Sequence, residues 1–569
     1  MIHTSWKLPI IIVMLVLIAC AVWWKNNTVP EYDFLIRNAT IYDGSGSAPF
    51  VADIAIHDDI IAAIGPLHHA SAQTEIKADG LVVAPGFINM LSWATESLLK
   101  DGLSQSNIRQ GVTLEVFGEG VSMGPLNKSM KASMQKQQAD IKYDLTWTTL
   151  SQYLEKLENN GISPNVASFV GATTVREYII GHEDRLPTDL EIEQMCHLVR
   201  KAMEEGAMGV GSSLVYAPAF YAKTAELISL AKVAAEYDGM YISHIRSEGN
   251  KLLEAVDEFI HIATNAQVRS EIYHLKAMGK HNWNKLEDVI HKIETARSSG
   301  LNITANIYTY TAGATGLNAS MPPWVQEGGH EAWVKRLKNS VTRKALKLEI
   351  STATESWENF YLAAGSPENI LLVGFKNPQL KLLTGKTLGE IARMRSTSVI
   401  ETMMDLVVED DSRVNTVYFL MSEENLRKKL ALPWVSFGSD AASLASEGVF
   451  LKSNPHPRAY GNFARLLGKF VRDEKIIPME EAIRRLTSLP ATNLRLHRRG
   501  ILRKGYFADV VLFNPQKIQD HATYHNPHKY SSGMVHVFVN GTLTLRDGQH
   551  TGAKVGRVIR GPGWRTLEP

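Results

Sequence analysis

Eight short apolar runs, several of them separated by helical stretches, constrain this chain more than any other feature. They fall at 81–91, 112–119, 165–172, 206–213, 239–246, 269–276, 302–310 and 434–440. Runs of that length bounded by turn residues predict buried strands. The intervening 224–237 offers Thr224 as a helix N-cap and puts Leu227, Leu230, Ala231 and Ala234 on one face. Residues 284–297 do the same with Leu286, Val289, Ile290 and Ile293. Eight strands with helices between them predict an α/β fold, a (β/α)8 TIM-like barrel over 81–495. The long gap from 310 to 434 predicts an insertion between strands seven and eight, and the helical, charge-mixed composition of about 320–430 predicts a small lid or subdomain over the mouth.

The two ends read differently from the middle. Phe34–Ile41, Ile54–Ile61, Ala508–Phe513 and Val535–Gly541 are strand-like segments set among turns such as Asp43-Gly44. They predict a small β-sandwich domain assembled from both termini, residues 30–80 and 496–569. Ahead of it, the apolar run Leu8–Trp24 lies between Lys7 and Lys25. It is near the lower limit for a spanning helix and long for a signal core. Leu17-Ile18-Ala19-Cys20 has the form of a lipobox, which predicts lipidation at Cys20 after cleavage. The rival expectation is an uncleaved anchor with Trp23, Trp24 and Lys25 at the membrane interface. Both place residues 1–29 outside the fold and predict an extracytoplasmic, membrane-tethered protein.

Composition removes other classes. Lys and Arg total 60 against 59 Asp and Glu, so net charge gives no reason to expect nucleic-acid binding. Two cysteines, Cys20 and Cys196, exclude a disulfide framework and a zinc site built from thiolates. Cys196 lies in a segment with amphipathic helical character, Glu191–Leu198, where an inert buried thiol is expected.

Chemistry in a barrel gathers at the C-terminal strand ends. There the sequence places Glu119 in Val116-Phe117-Gly118-Glu119, His244 in Tyr241-Ile242-Ser243-His244, His274 in Ile272-Tyr273-His274, and Asp440 in Phe437-Gly438-Ser439-Asp440. Taken singly, each has an ordinary explanation: a hydrogen-bonded histidine, a solvated loop carboxylate, an aspartate capping a helix that begins near Ala441. Together, two imidazoles and a carboxylate match a zinc site that leaves one position open for water. A second carboxylate nearby could carry the proton.

The sequence also resembles the N-acyl-D-amino-acid deacylase (D-aminoacylase) branch of the amidohydrolase superfamily. The resemblance is carried by Asp33–Gly44, Val83–Ile88, Arg109–Thr113, Gly206–Gly209, Ser243–Gly249, Tyr308–Gly313, His456–Gly461, Thr487–Ala491 and Gly505–Asp509, in that order. It implies a zinc-dependent barrel with His244 and His274 as ligands and Asp440 as catalytic aspartate. It also implies that Lys276 and Tyr308 grip the substrate carboxylate. Two departures stand out. Where the family has a His-x-His pair after strand one, this chain has Leu91 and Trp93; where better-known members have a strand-two cysteine, it offers Glu119.

The expectation is therefore one zinc ion per chain on Glu119, His244 and His274. Asp440 would act as general base and acid, and the substrate would be a small N-acyl-D-amino acid or dipeptide-like molecule. A dipeptidase or cyclic-amide hydrolase on the same site is the alternative within hydrolases. A degenerate, non-catalytic, membrane-tethered binding protein is the alternative outside them.

Overall fold

The computed structural model describes residues 13–14 and 30–565. Cys20 and nearly all of the Leu8–Trp24 run lie outside them. Among the described residues no helix is long and apolar enough to cross a membrane.

Eight parallel strand positions follow one another round a ring: Phe87–Asn89, Val112–Phe117, Asn165–Ser168 continued by Val170–Gly171, Gly209–Ser213, Met240–His244, Arg269–Ile272, Ile303–Ile307 and Val435–Phe437. Each pairs in parallel with the next. The ring closes where the Met90 N–H donates to the Phe437 carbonyl at 3.2 Å and the Asp440 N–H to the Leu91 carbonyl at 2.9 Å. Helices cover it with their apolar faces inward. Asp189–Glu204 begins with a full capping box between Thr188 and Glu191 and buries Met195, Val199, Ala202 and Met203. Thr224–Glu236 buries Leu227, Leu230, Ala231 and Ala234, the face expected from their spacing.

Three expectations are corrected by the coordinates. Thr224 is the first helical residue rather than the cap, which falls on Lys223; the Thr224 hydroxyl donates instead to Glu258 at 2.7 Å. The run 81–91 is two strands, not one. Val82–Pro85 pairs with Val510–Phe513, and the chain then turns at Gly86 into the ring. A side chain at Gly86 would meet Thr113 Oγ1 at 2.1 Å, so only glycine permits this hand-over. The insertion is not purely helical. Ala312–Gly316, Ile370–Gly374 and Asn415–Phe419 form an antiparallel sheet, and helices such as Ser340–Ser351 and Val399–Asp410 pack on it. Leu346, Ile350, Met403 and Leu406 are among its buried residues, in a cluster separate from that of the ring.

Strands from both termini join in one hydrogen-bonded sheet, with Val82–Pro85 between Tyr32–Ile41 and Val510–Phe513. The sheet curls on itself rather than dividing into two separately bonded layers. Phe34 and Phe538, on strands three places apart, bring their ring centroids to 5.0 Å.

Candidate active site

The ring's C-terminal mouth gathers the four strand-end residues. Glu119 lies two residues past its strand between Gly118 and Gly120, both with positive φ. A Cβ on Gly118 would strike the Phe169 carbonyl at 2.4 Å, so the tight turn that aims Glu119 inward depends on glycine there. His274 and Asp440 themselves hold left-handed backbone, at φ 36° and 49°. Such conformations cost free energy in non-glycine residues and concentrate at functional sites. The Asp440 segment continues as an extended bridge between Ala441 and Ser92, so Asp440 does not cap a helix.

Glu119 Oε1 lies 2.9 Å from both His244 Nδ1 and His274 Nε2. Ligand atoms of these three buried residues all lie within 4.8 Å of one another. The outer ring nitrogens face Glu248. His274 Nδ1 is 3.0 Å from Glu248 Oε1, and His244 Nε2 is 3.4 Å from Oε2, in a contact without hydrogen-bond alignment. Lys276 Nζ donates to Glu248 at 2.6 Å and stands 2.7 Å from His274 Nδ1. Glu248 is anchored in turn, because its own N–H donates to Glu358 of the insertion at 2.7 Å.

Asp440 faces this cluster from the eighth strand. Its Oδ1 accepts the Trp93 indole N–H at 3.1 Å, and Arg458 Nη1 is ion-paired to Oδ2 at 2.8 Å. The same indole N–H also reaches Glu119 Oε2 at 3.2 Å. Arg458 lies over the Tyr308 ring, 4.3 Å from its centroid. The buried Tyr308 hydroxyl and Arg458 Nε have no hydrogen-bond partner among the described residues. A cavity of about 140 Å³ borders Trp93 and Gly118, lined largely by Val121, Met123, Leu126, Met130 and Met134.

The electrostatics favour positive charge at the centre. Burial opposes ionisation of Glu119, but the charge of His274 and hydrogen bonds from His244 and His274 hold its carboxyl well below the usual range. Glu248 behaves alike, with burial outweighed by His244, Lys276 and His274. Burial and Lys276 oppose a proton on His274, yet Glu119 and Glu248 carry it up to about 9. A field that holds a proton this firmly on a buried imidazole also suits a metal cation. Two imidazole nitrogens and a carboxylate oxygen form a donor set that zinc accepts. The residues present therefore fit one such ion. With Nδ1–H turned to Glu248, His274 would offer Nε2 as a ligand, and Glu248 would orient the imidazoles as outer carboxylates do in metal sites. Asp440 departs in the other direction: burial, against the opposing pull of Arg458, raises its carboxyl above the ordinary value.

All six barrel residues singled out in the sequence reach this mouth. Lys276 does so with its ammonium engaged by Glu248. Three further participants lie in segments whose roles the sequence does not show: Glu248 after His244, Arg458 after His456, and Trp93 after strand one. His456 supports Arg458, accepting its N–H at 3.0 Å on Nδ1.

A fold of this kind with an N2O donor cluster at its mouth defines a metal-dependent hydrolase class, and comparison with known proteins narrows it. The Amidohydrolase family matches residues 378–545. A D-aminoacylase from Alcaligenes xylosoxydans xylosoxydans is 30% identical, over 93% of this chain and 97% of its own length. A solved D-aminoacylase, studied for one-metal activation and second-metal attenuation at its binuclear centre, matches with TM-score 0.76 and 28% identity; the match covers 93% of this chain and all of that one. The N-acyl-D-glutamate deacylase of Bordetella bronchiseptica, solved with zinc and a phosphonate mimic of the tetrahedral intermediate, matches with TM-score 0.75 and 28% identity over the same shares. The chain belongs to the D-aminoacylase family of amidohydrolases, hydrolases of carbon–nitrogen bonds other than peptide bonds.

Proposed function

We propose that this (β/α)8 barrel deacylates N-acyl-D-amino acids with one zinc ion per chain, held by Glu119, His244 and His274. The observation that carries the reading is the buried cluster of those three residues with Asp440 facing it from the eighth strand. Bound there, the ion supplies Lewis acidity to the amide carbonyl and lowers the pKa of water. Asp440 takes the proton of the attacking water and returns it to the departing amine. Its raised affinity for a proton suits both halves of that transfer. Arg458 and the unpartnered Tyr308 hydroxyl bind the substrate carboxylate, while Lys276 braces Glu248 behind the imidazoles. The cavity beside Trp93 is lined mainly by apolar side chains, with Glu177 its one charged lining residue, which supports a substrate carrying an apolar rather than an acidic group there.

The test is a panel of N-acyl-D- and N-acyl-L-amino acids, dipeptides and cyclic amides offered to the purified chain and to Asp440→Asn. We expect turnover of N-acyl-D-amino acids with apolar groups, and a variant that retains zinc but is inactive. Normal activity in Asp440→Asn would remove the mechanism, and preference for dipeptides or cyclic amides would move the substrate class. The convergence of all four groups at one mouth speaks against a non-catalytic binding protein. We further propose, from the Leu8–Trp24 run, an extracytoplasmic tether with lipid on Cys20. Mass spectrometry of the membrane-extracted parent chain tests this: a chain that begins at a lipid-modified Cys20 supports the proposal, and an unlipidated chain that still carries Leu8–Trp24 makes the uncleaved anchor the correct form.

A further inference from the structure

Two carboxylates, the buried Glu119 and the partly buried Asp440, converge on one point of the site. At that point lies the Trp93 indole nitrogen, 3.2 Å from Glu119 Oε2 and 3.1 Å from Asp440 Oδ1. A position shared by two carboxylates ordinarily attracts a cation, and here a neutral donor takes it. The indole N–H can donate but has no lone pair to offer a metal. Leu91, two residues before Trp93 on the same segment, is 1% exposed and belongs to an apolar cluster with Ile88, Met90 and Val116. Neither residue supplies an imidazole to a second ion beside the first.

The backbone fixes this arrangement. The Trp93 N–H donates to the Ala441 carbonyl at 3.0 Å and the Asp440 N–H to Leu91 at 2.9 Å, with a parallel bridge between Ser92 and Ala441. The backbones of Trp93 and Asp440 are thus set by the same rungs that close the ring, and the partly exposed indole is held to the carboxylates by its N–H alone.

We infer that the Trp93 indole N–H stands in for a second metal ion. It holds Glu119 and Asp440 in register as a positioning residue, and it leaves the enzyme a one-metal enzyme that excess zinc does not attenuate. The inference rests on the metal reading above. It sets this chain apart from the D-aminoacylase whose binuclear centre is attenuated by its second metal.

The test is zinc content by mass spectrometry after equilibration with excess zinc and removal of free metal. It uses the full chain, Trp93→Phe, and Leu91→His/Trp93→His. About one zinc is expected in the first two and about two in the double variant, whose turnover then falls as zinc is added while that of the parent chain stays level. Trp93→Phe keeps the ring but loses the N–H, so kcat should fall about tenfold with KM unchanged. Its normal zinc content serves as the control for folding. Two zinc ions in the parent chain would overturn the inference while leaving the metal reading intact. No zinc in the parent chain would overturn both. An unchanged kcat in Trp93→Phe, or a change in KM alone, would remove the positioning role.

Discussion

The two sides of the active-site mouth are built on opposite principles. On the side of strands two, five and six, charge is stacked behind charge: Glu119, His244 and His274 in front, Glu248 and Lys276 behind, Glu358 beyond. On the strand-one side, Leu91 is packed in apolar surroundings and Trp93 contributes one N–H. Buried charges survive only when each has partners, so the first side is costly to assemble and fails as a unit. The second side rests on the packing of Leu91, which can vary without disturbing the cluster, and on the N–H of a partly exposed indole, which cannot. The difference teaches that one site can orient carboxylates by a cation and by a neutral donor at once.

That contrast can be broken most severely at His274. His274→Ala should bring zinc content from about one per chain to near none and abolish turnover, as read by mass spectrometry and assay. Leu91→Ala attacks the other side. It should lower stability by about 2–5 kcal/mol in denaturant titration while zinc content stays unchanged, because only packing is lost. Glu248→Gln removes the carboxylate behind the imidazoles; zinc affinity by calorimetry should fall about 10–100-fold with the fold retained.

The most gradual effect concerns Lys429, whose buried amine donates to the Leu275 carbonyl at 2.7 Å beside His274. Burial and neighbouring Lys276, against the pull of Glu248, lower it to about 7. Between that value and its ordinary range the unfolded chain binds more protons than the folded one. Stability should therefore rise as pH rises from about 7 toward 10, by at most about 1.4 kcal/mol per unit. Lys429→Met should flatten that rise in urea titrations run across the same range.

The strand-end residues were legible because a polar side chain closing an apolar run is a local signal. Glu119, His244, His274 and Asp440 each carry it. Glu248 carries none, since it lies in a loop that returns beneath His244 and is recognisable only in space. Arg458 lies in the helix Arg458–Arg465, so its pairing with Asp440 depends on a tertiary contact. For Trp93 the family resemblance implies a missing ligand, but nothing in the sequence shows that the indole turns its N–H to the carboxylates. The strands of the insertion escaped notice because Ala312–Gly316 is small and glycine-rich and its partners are separated by helices. The split at Gly86 was hidden because both halves of 81–91 are apolar, and only their partners distinguish them.

The sheet shared by the two termini also sets a timetable. During synthesis, Val82–Pro85 emerges early and finds Tyr32–Ile41 on one edge, yet its other partner, Val510–Phe513, is made hundreds of residues later. Until then an apolar strand edge stands open next to the first strand of the ring, a template for pairing with other chains. Completion of the sheet thus comes late in synthesis, and a chain stopped short of Val510 would be released with that edge still open.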